Sequence, residues 1–326
     1  MLLSFLKGYK IPVIYFMCFL GGFVFFSPFR DLKHVILPYE KEPLIAFNFF
    51  FKITAWNRIF ELAVTSVMVT IQAFLINKLN AKYYILKTNS YLPGILFILI
   101  IGSLLPLHRV QPLLFSNIFL IMAIDQVLSS LRKEKTIDSF FNAGFYLFMG
   151  SLLYRGLAFY ILILYVGLFF FRTFSWREWI MPILGFLLPL IMLIGIMFLV
   201  NNTETFYDNF FMNIKFKLVN FSEFRISLPS IVFYIYTSLI LLYSTIIYRN
   251  NKINSRKYMV FLSFMFLLSV LLFIIFETFY IEGLFIAAIP IAFFISYFLI
   301  NLKSKRIGNI IVFVLIILVL WVRFFG

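Results

Sequence analysis

Apolar runs long enough to cross about 30 Å of hydrocarbon as helices follow one another along the whole chain, separated mostly by short basic connections. Within a bilayer every backbone N–H and C=O must find its partner inside the segment, so such runs can only become helices. They are Ile11–Phe26, Glu61–Asn77, Tyr91–Leu107, Pro112–Ser130, Phe140–Tyr154, Gly156–Phe171, Ile180–Val200, Ser230–Tyr248, Tyr258–Phe276, Gly283–Ile300 and Ile307–Val322. The pattern predicts an all-α polytopic membrane bundle of about 11 transmembrane helices, formed as one integral membrane domain over residues 1–326. Composition agrees. Hydrophobic residues make up 63% against 13% charged, and 47 Phe with 18 Tyr cannot all be hidden in one aqueous core. The fifth and sixth runs are short and joined only by Tyr154-Arg155-Gly156, so they form either two spans or a re-entrant hairpin. The first run follows Lys7 and Lys10 like a signal peptide but lacks a small-residue cleavage site, which predicts an uncleaved signal anchor.

Lys and Arg on alternate connections decide orientation. One side collects Lys7, Lys10, Lys78, Lys82, Lys87, Arg132, Lys133, Lys135, Arg172, Arg177, Arg249, Lys252, Arg256, Lys257, Lys303, Lys305 and Arg306, which is 17 of the 28 basic residues, opposed by Glu134, Asp138 and Glu178. The other side holds 11 basic residues and nine acids. The N-terminus is therefore expected in the cytoplasm and the C-terminus outside, with Trp321 and Arg323 anchoring the outer interface. The formal charge of +15 is mostly topology. Its scatter in small clusters between apolar segments excludes nucleic acid as a partner. Cys18 is the single cysteine, so neither an intramolecular disulfide nor a cysteine metal cluster can form.

The cytoplasmic connections are too small to fold a nucleotide-binding domain, and no glycine-rich phosphate loop occurs. Outer segments 27–60 and 201–229 are longer. In the first, Leu44–Phe60 presents Ile45, Phe49, Ile53, Trp56 and Phe60 on one face, either as an interfacial helix or as an extension of the second span. The second interleaves Glu204, Asp208, Lys215, Lys217, Glu223 and Arg225 with Phe206, Tyr207, Phe210, Phe211, Phe216 and Phe221. Together they could roof a cavity between spans, which points any active site outward.

A charge at membrane depth costs about 2.5–3.5 kcal/mol on insertion scales. Asp125 lies near the cytoplasmic end of the fourth span, where pairing with Arg132 or Lys133 is expected in preference to proton relay. Arg155, at the tip of the tight hairpin, suits a lipid phosphate or snorkels to the outer headgroups. His34 and His108 are the only histidines; without H-E-x-x-H or comparable spacing no metal site is expected. Glu277 and Glu282 flank an outer turn and mark the water boundary.

Several stretches carry a family likeness: Ala73-Phe74-Leu75-Ile76-Asn77, Tyr91-Leu92-Pro93-Gly94, Asn142-Ala143-Gly144-Phe145, Gly150-Ser151-Leu152-Leu153-Tyr154, Phe174-Ser175-Trp176-Arg177-Glu178-Trp179 and Leu184-Gly185-Phe186-Leu187-Leu188-Pro189. Over residues 60 to 200 the chain resembles an uncharacterised family of polytopic inner-membrane proteins from Bacteroidota. That resemblance implies a place in the bacterial inner membrane and cell envelope. In organisation the chain is more distantly similar to membrane glycosyltransferases of the GT-C type, which take sugars from polyprenyl phosphate on the outer face. That similarity implies Asp31 as catalytic base with Glu40 and Glu42 as deputies, although Glu40-Lys41-Glu42 stands where those enzymes carry Asp-Asp or Glu-x-Asp. The same similarity implies Arg30, Arg155 and Arg225 as phosphate partners. Further substrate-binding candidates on the outer side are His34, Arg58, His108 and Arg109. No cofactor is expected. The partners implied are membrane lipids, a polyprenyl phosphate or lipid-linked sugar, and an envelope protein. The alternatives are a non-catalytic membrane subunit or scaffold of an envelope complex, and a secondary transporter, for which Gly185 and Pro189 would bend the seventh span.

Overall fold

The computed structural model describes residues 11–25, 58–103, 111–133, 135–172, 174–200, 253–275, 280–302 and 304–325. Among them the regular structure is entirely helical. The elements are α1 (Ile11–Phe25), α2 (Arg58–Tyr83), α3 (Leu92–Gly102), α4 (Pro112–Ser130), α5 (Ile137–Ser151), a 3-10 helix (Arg155–Tyr160), α6 (Ile161–Phe171), α7 (Trp176–Leu199), α8 (Ile253–Ile275), α9 (Tyr280–Asn301) and α10 (Lys305–Phe325).

Local chemistry sets the boundaries. Pro112 opens α4 at a position whose N–H would have no helical partner anyway. Helix α2 runs six residues past Asn77, because Lys78 to Tyr83 are mostly good helix formers. It stops where Tyr84 takes φ 53°, a left-handed conformation that glycine usually supplies. Lys87 follows with φ 61°. Each such residue costs roughly 1–2 kcal/mol, and Asn80 offsets it by organising the turn. Its Oδ1 accepts from Leu86 N at 3.1 Å, and its Nδ2 donates to Thr88 O at 3.0 Å.

The hydrogen bonds between α2 and α4 keep one register. Gln72 donates to Leu114 O at 2.7 Å, Asn117 donates to Gln72 Oε1 at 2.8 Å, and Lys82 meets Asp125 at 2.8 Å. These helices therefore run parallel, with α3 returning between them in the chain. Helices α5 and α7 repeat the arrangement: Thr136 meets Glu178, Phe141 lies against Gly185, and Phe148 stacks edge-on against Phe186 at 5.4 Å. Backbones touch at that crossing. A Cβ on Gly144 would overlap Pro182 O, and one on Gly185 would overlap Phe141 O, the close approach that small residues permit between membrane helices. Helix α8 runs antiparallel to α6: Tyr160 and Ser269 share a hydrogen bond of 2.8 Å at one end, and Phe171 packs edge-on against Tyr258 at the other. Gly283 beside Ser269 and Phe273 makes α9 antiparallel to α8. Helix α1 docks on α2 and α3 through Met17, Gly21 and Val24; Asn77 donates to Met17 Sδ at 3.3 Å.

Among the described residues, five helical segments have the length and apolarity to cross a membrane: Ile59–Tyr83, Pro112–Ser130, Trp176–Leu199, Ser255–Phe273 and Gly283–Asn301. Four apolar segments are shorter: Pro12–Val24, Leu92–Gly102, Arg155–Phe171 and Arg306–Ile317. This architecture fits a multi-pass helical membrane bundle, although among the described residues full-length spans are fewer than the eleven apolar runs. Several runs fold into shorter apolar helices of about three to five turns, and the run at 230–248 lies outside the described residues. Helix α9 is the central element, with 83% of its apolar window buried, whereas α7 buries only 22%. A face carrying Ile183, Leu184, Leu187, Leu188 and Ile191 in the open fits hydrocarbon as its surroundings. The α5–α6 pair starts and returns at the same end of the bundle, since Thr136 and Arg172 both reach Glu178. Helix α5, at 15 residues, spans only about 22 Å.

Candidate functional site

The polar side chains of the described residues concentrate at the end of the bundle where α2, α4 and α6 finish and α5, α7 and α8 begin. Two knots form there. In the first, the Lys82 ammonium donates to both Asp125 carboxylate oxygens at 2.8 Å, while the Tyr83 hydroxyl lies 2.8 Å from Asp125 Oδ1 and from its backbone carbonyl. The guanidinium of Arg132 donates to Lys82 O at 2.7 Å, so it caps the C-terminal carbonyls of α2. Lys82 and Arg132 also stand over the Tyr83 ring, 5.1 and 5.2 Å from its centroid, in the range of a cation–π contact. Tyr258 packs against that ring at 5.6 Å, and Ser255 donates to Tyr84 O at 3.4 Å, which ties the start of α8 to the same place.

The second knot centres on Glu178, in the first turn of α7 and nearly buried. Its Oε1 accepts from the Thr136 hydroxyl and, at 3.1 Å, from Arg172 Nη2. Arg172 Nη1 donates to Lys133 O at 3.0 Å, and Lys133 Nζ donates to Ser139 Oγ at 2.9 Å. Thr136 precedes α5 but does not cap it; the hydroxyl serves Glu178 instead. Negative charge also suits the first turn of α7, where the helix dipole is positive. One carboxylate thus joins the α4–α5 connection, the end of α6 and the start of α7.

Each knot places a carboxylate against a cation and a hydroxyl, an arrangement that holds helices together. A free general base needs an open lone pair aimed at a substrate, whereas both Asp125 oxygens and Glu178 Oε1 are already engaged within the bundle. Among the described residues no three His, Cys, Asp or Glu side chains gather to hold a metal ion.

The sequence assigns Asp125 to Arg132 or Lys133, and the structure corrects this. Arg132 lies two turns further along or beyond α4, whereas the parallel register of α2 brings Lys82 alongside. Of the outer-side candidates, Asp31, Glu40, Glu42, Arg30, His34, His108, Arg109 and Arg225 lie outside the described residues. So do Glu277 and the second outer segment. Arg58 opens α2, with Ile59 and Phe60 in the same first turn, so the end of the 44–60 segment continues into that helix. Arg155 begins the 3-10 helix at the tip of the α5–α6 hairpin and is partly buried.

Sequence reasoning did not single out the Gln72–Asn117 bridge, the Thr136–Glu178–Arg172 knot or Asn77. Asn77 Oδ1 accepts from Gly94 N at 2.8 Å, so a side chain of α2 satisfies a first-turn donor of α3 that lacks a side-chain cap of its own. Asn77 and Gly94 are hydrogen-bonded, and Gly144 and Gly185 each lie against the backbone of the facing helix, at Pro182 and Phe141. No protein-family model, no curated protein and no solved structure matches the chain.

Proposed function

We propose that this chain is a multi-pass protein of the bacterial inner membrane that works from its outward face as a transferase or polymerase on polyprenyl-phosphate-linked sugars. In this reading it makes about eleven passes, with the N-terminus and the two polar knots in the cytoplasm and the C-terminus outside. The observation that carries it is the state of the acids at the basic end. Asp125 is tied to Lys82 and Tyr83, and Glu178 to Arg172 and Thr136. Catalysis then falls to the outer acids Asp31, Glu40 and Glu42, with Arg30, Arg155 and Arg225 for the leaving phosphate. A carboxylate activates the acceptor hydroxyl while guanidinium groups stabilise charge on the departing phosphate. The organisational similarity to GT-C enzymes supports this reading at the level of analogy.

The experiment replaces Asp31, Glu40 and Glu42 singly and together by Ala, then measures envelope glycan and protein level. Loss of glycan at constant protein level supports the reading; unchanged glycan in the triple variant refutes it. Cysteine labelling from either side of the membrane, at Lys87 and at His34 in a Cys18→Ser background, tests the orientation separately.

A second reading, a non-catalytic subunit of an envelope complex, draws on α7, whose apolar window is 22% buried against 33% or more for the other long spans described. It predicts a stoichiometric partner after mild detergent extraction. A retained lipid-linked sugar with no such protein favours the transferase.

A further inference from the structure

The cations at the basic end divide into two populations that a count of Lys and Arg cannot separate. Lys82, Arg132, Lys133 and Arg172 donate to carboxylates, hydroxyls and helix-end carbonyls of the bundle itself. Lys78, Lys87, Lys135, Arg177, Arg256 and Arg306 are exposed, and their side chains make no ion pair or hydrogen bond with any described residue. All six share one end of the molecule. Lys78 and Lys87 belong to the end of α2 and its turn, Lys135 to the α4–α5 connection, and Arg177 to the start of α7. Arg256 opens α8, which hydrogen-bonds to Tyr84 O. Arg306 opens α10, which follows the end of antiparallel α9.

Among the described residues no acid pairs with these six cations. Neither α8 nor α10 has an acid in its first turn, yet both begin with paired cations at the positive end of the helix dipole. The knots absorb the nearby carboxylates of Asp125 and Glu178. These six cations are open to a counter-anion from outside the chain.

A second feature says what carries that anion. Phe174 is 77% exposed, Trp176 65% and Tyr84 51%; Tyr84 lies in the turn that holds Lys87, and Phe174 and Trp176 stand at the start of α7 beside Arg177. Large rings in the open among cations are unsuited to bulk water, but they suit the level of lipid headgroups, where aromatic residues sit with the ring toward the acyl chains and Lys or Arg beside the phosphates. We infer that this end is a binding surface for anionic phospholipid headgroups, in which Lys78, Lys87, Lys135, Arg177, Arg256 and Arg306 hold the phosphates while Phe174, Trp176 and Tyr84 seat in the interface. Lys82, Arg132, Lys133 and Arg172 serve the fold. The inference rests on the membrane bundle and not on the transferase reading; either can fail without the other.

The test uses the full chain in lipid nanodiscs, with Trp56 and Trp321 replaced by Phe so that Trp176 and Trp179 report. Quenching by brominated phosphatidylglycerol is compared with quenching by brominated phosphatidylcholine. A surface cation favours an anionic lipid by about fivefold, so phosphatidylglycerol is expected to win by at least about that factor. The preference should fall to about one when the six free cations are changed to Gln. It should fall equally in unsubstituted cations at 1 M salt, where the Debye length is about 3 Å. That arm needs no charge variant, so it decides the matter even if the six-fold variant does not fold. Equal quenching by the two lipids in the chain with its cations intact overturns the inference. Displacement of the preference by millimolar inorganic phosphate also overturns it, since the surface would then recognise a free anion and not a headgroup layer.

Discussion

Lys82 and Asp125 stand 43 residues apart in sequence, yet the ammonium lies 2.8 Å from both carboxylate oxygens, with the Tyr83 hydroxyl at the same distance from one of them. The pair closes the basic end between two parallel helices. Lys82 is 44% exposed and Asp125 29%, so solvent screens their attraction and holds its worth to about 1 kcal/mol. A double-mutant cycle of Lys82→Met and Asp125→Asn, read by unfolding in mixed micelles, should give a coupling of about that size. A coupling near zero would mean that the contact is incidental to the α2–α4 packing.

Glu178 should behave differently because it is nearly buried. Removing one partner from a buried pair leaves a charge without compensation, at a cost of about 3–5 kcal/mol. Glu178→Ala and Arg172→Ala are therefore each expected to lower stability by about 3 kcal/mol. The double substitution Arg172→Met/Glu178→Met should recover most of the loss. No recovery would show that the geometry of the knot, and not its charge balance, holds the start of α7.

Gly144→Ala and Gly185→Ala place a methyl group against the backbone of the facing helix. Backbone cannot swing aside as a side chain does, so each change should force α5 and α7 apart and cost at least about 2 kcal/mol. Gly22→Ala and Gly195→Ala meet nothing within 4 Å; they should be neutral or up to about 1 kcal/mol stabilising through helix propensity. Thermal unfolding of the four variants in one detergent separates the two groups.

Asn77→Leu removes the acceptor of Gly94 N and strands a buried donor, at an expected cost of about 1–3 kcal/mol. Asn77→Asp keeps the acceptor. Hydrogen exchange at Gly94 should quicken in the first variant only, a local readout that general destabilisation does not reproduce.

Much of the helical plan was legible in the sequence. The run Pro112–Ser130 coincides with α4, since proline marks the start and the run ends just before Leu131-Arg132-Lys133. Helix α2 was less legible. Its last six residues look like a basic connection by hydropathy, but their helix propensity carries the helix on until Tyr84 turns left-handed. The outer candidates Asp31, Glu40 and Glu42 remain readings of the sequence, because they lie outside the described residues. At the basic end the sequence offered the charged residues without their pairing. Arg132 and Lys133 stand nearer Asp125 in the chain, yet Lys82 holds it.

Apolar run length and the alternation of basic connections follow from the chain alone, because a lipid solvent leaves the backbone only the helix and Lys and Arg gather on alternate connections. The choice of partners does not. Whether a cation caps a carbonyl, closes on a carboxylate or stays free depends on the register of parallel helices joined through a third. That register is decided by the packing of side chains, by Gly144 under Pro182 and Gly185 under Phe141. A one-turn slip of about 5.4 Å would leave every apolar run intact and break each polar contact described.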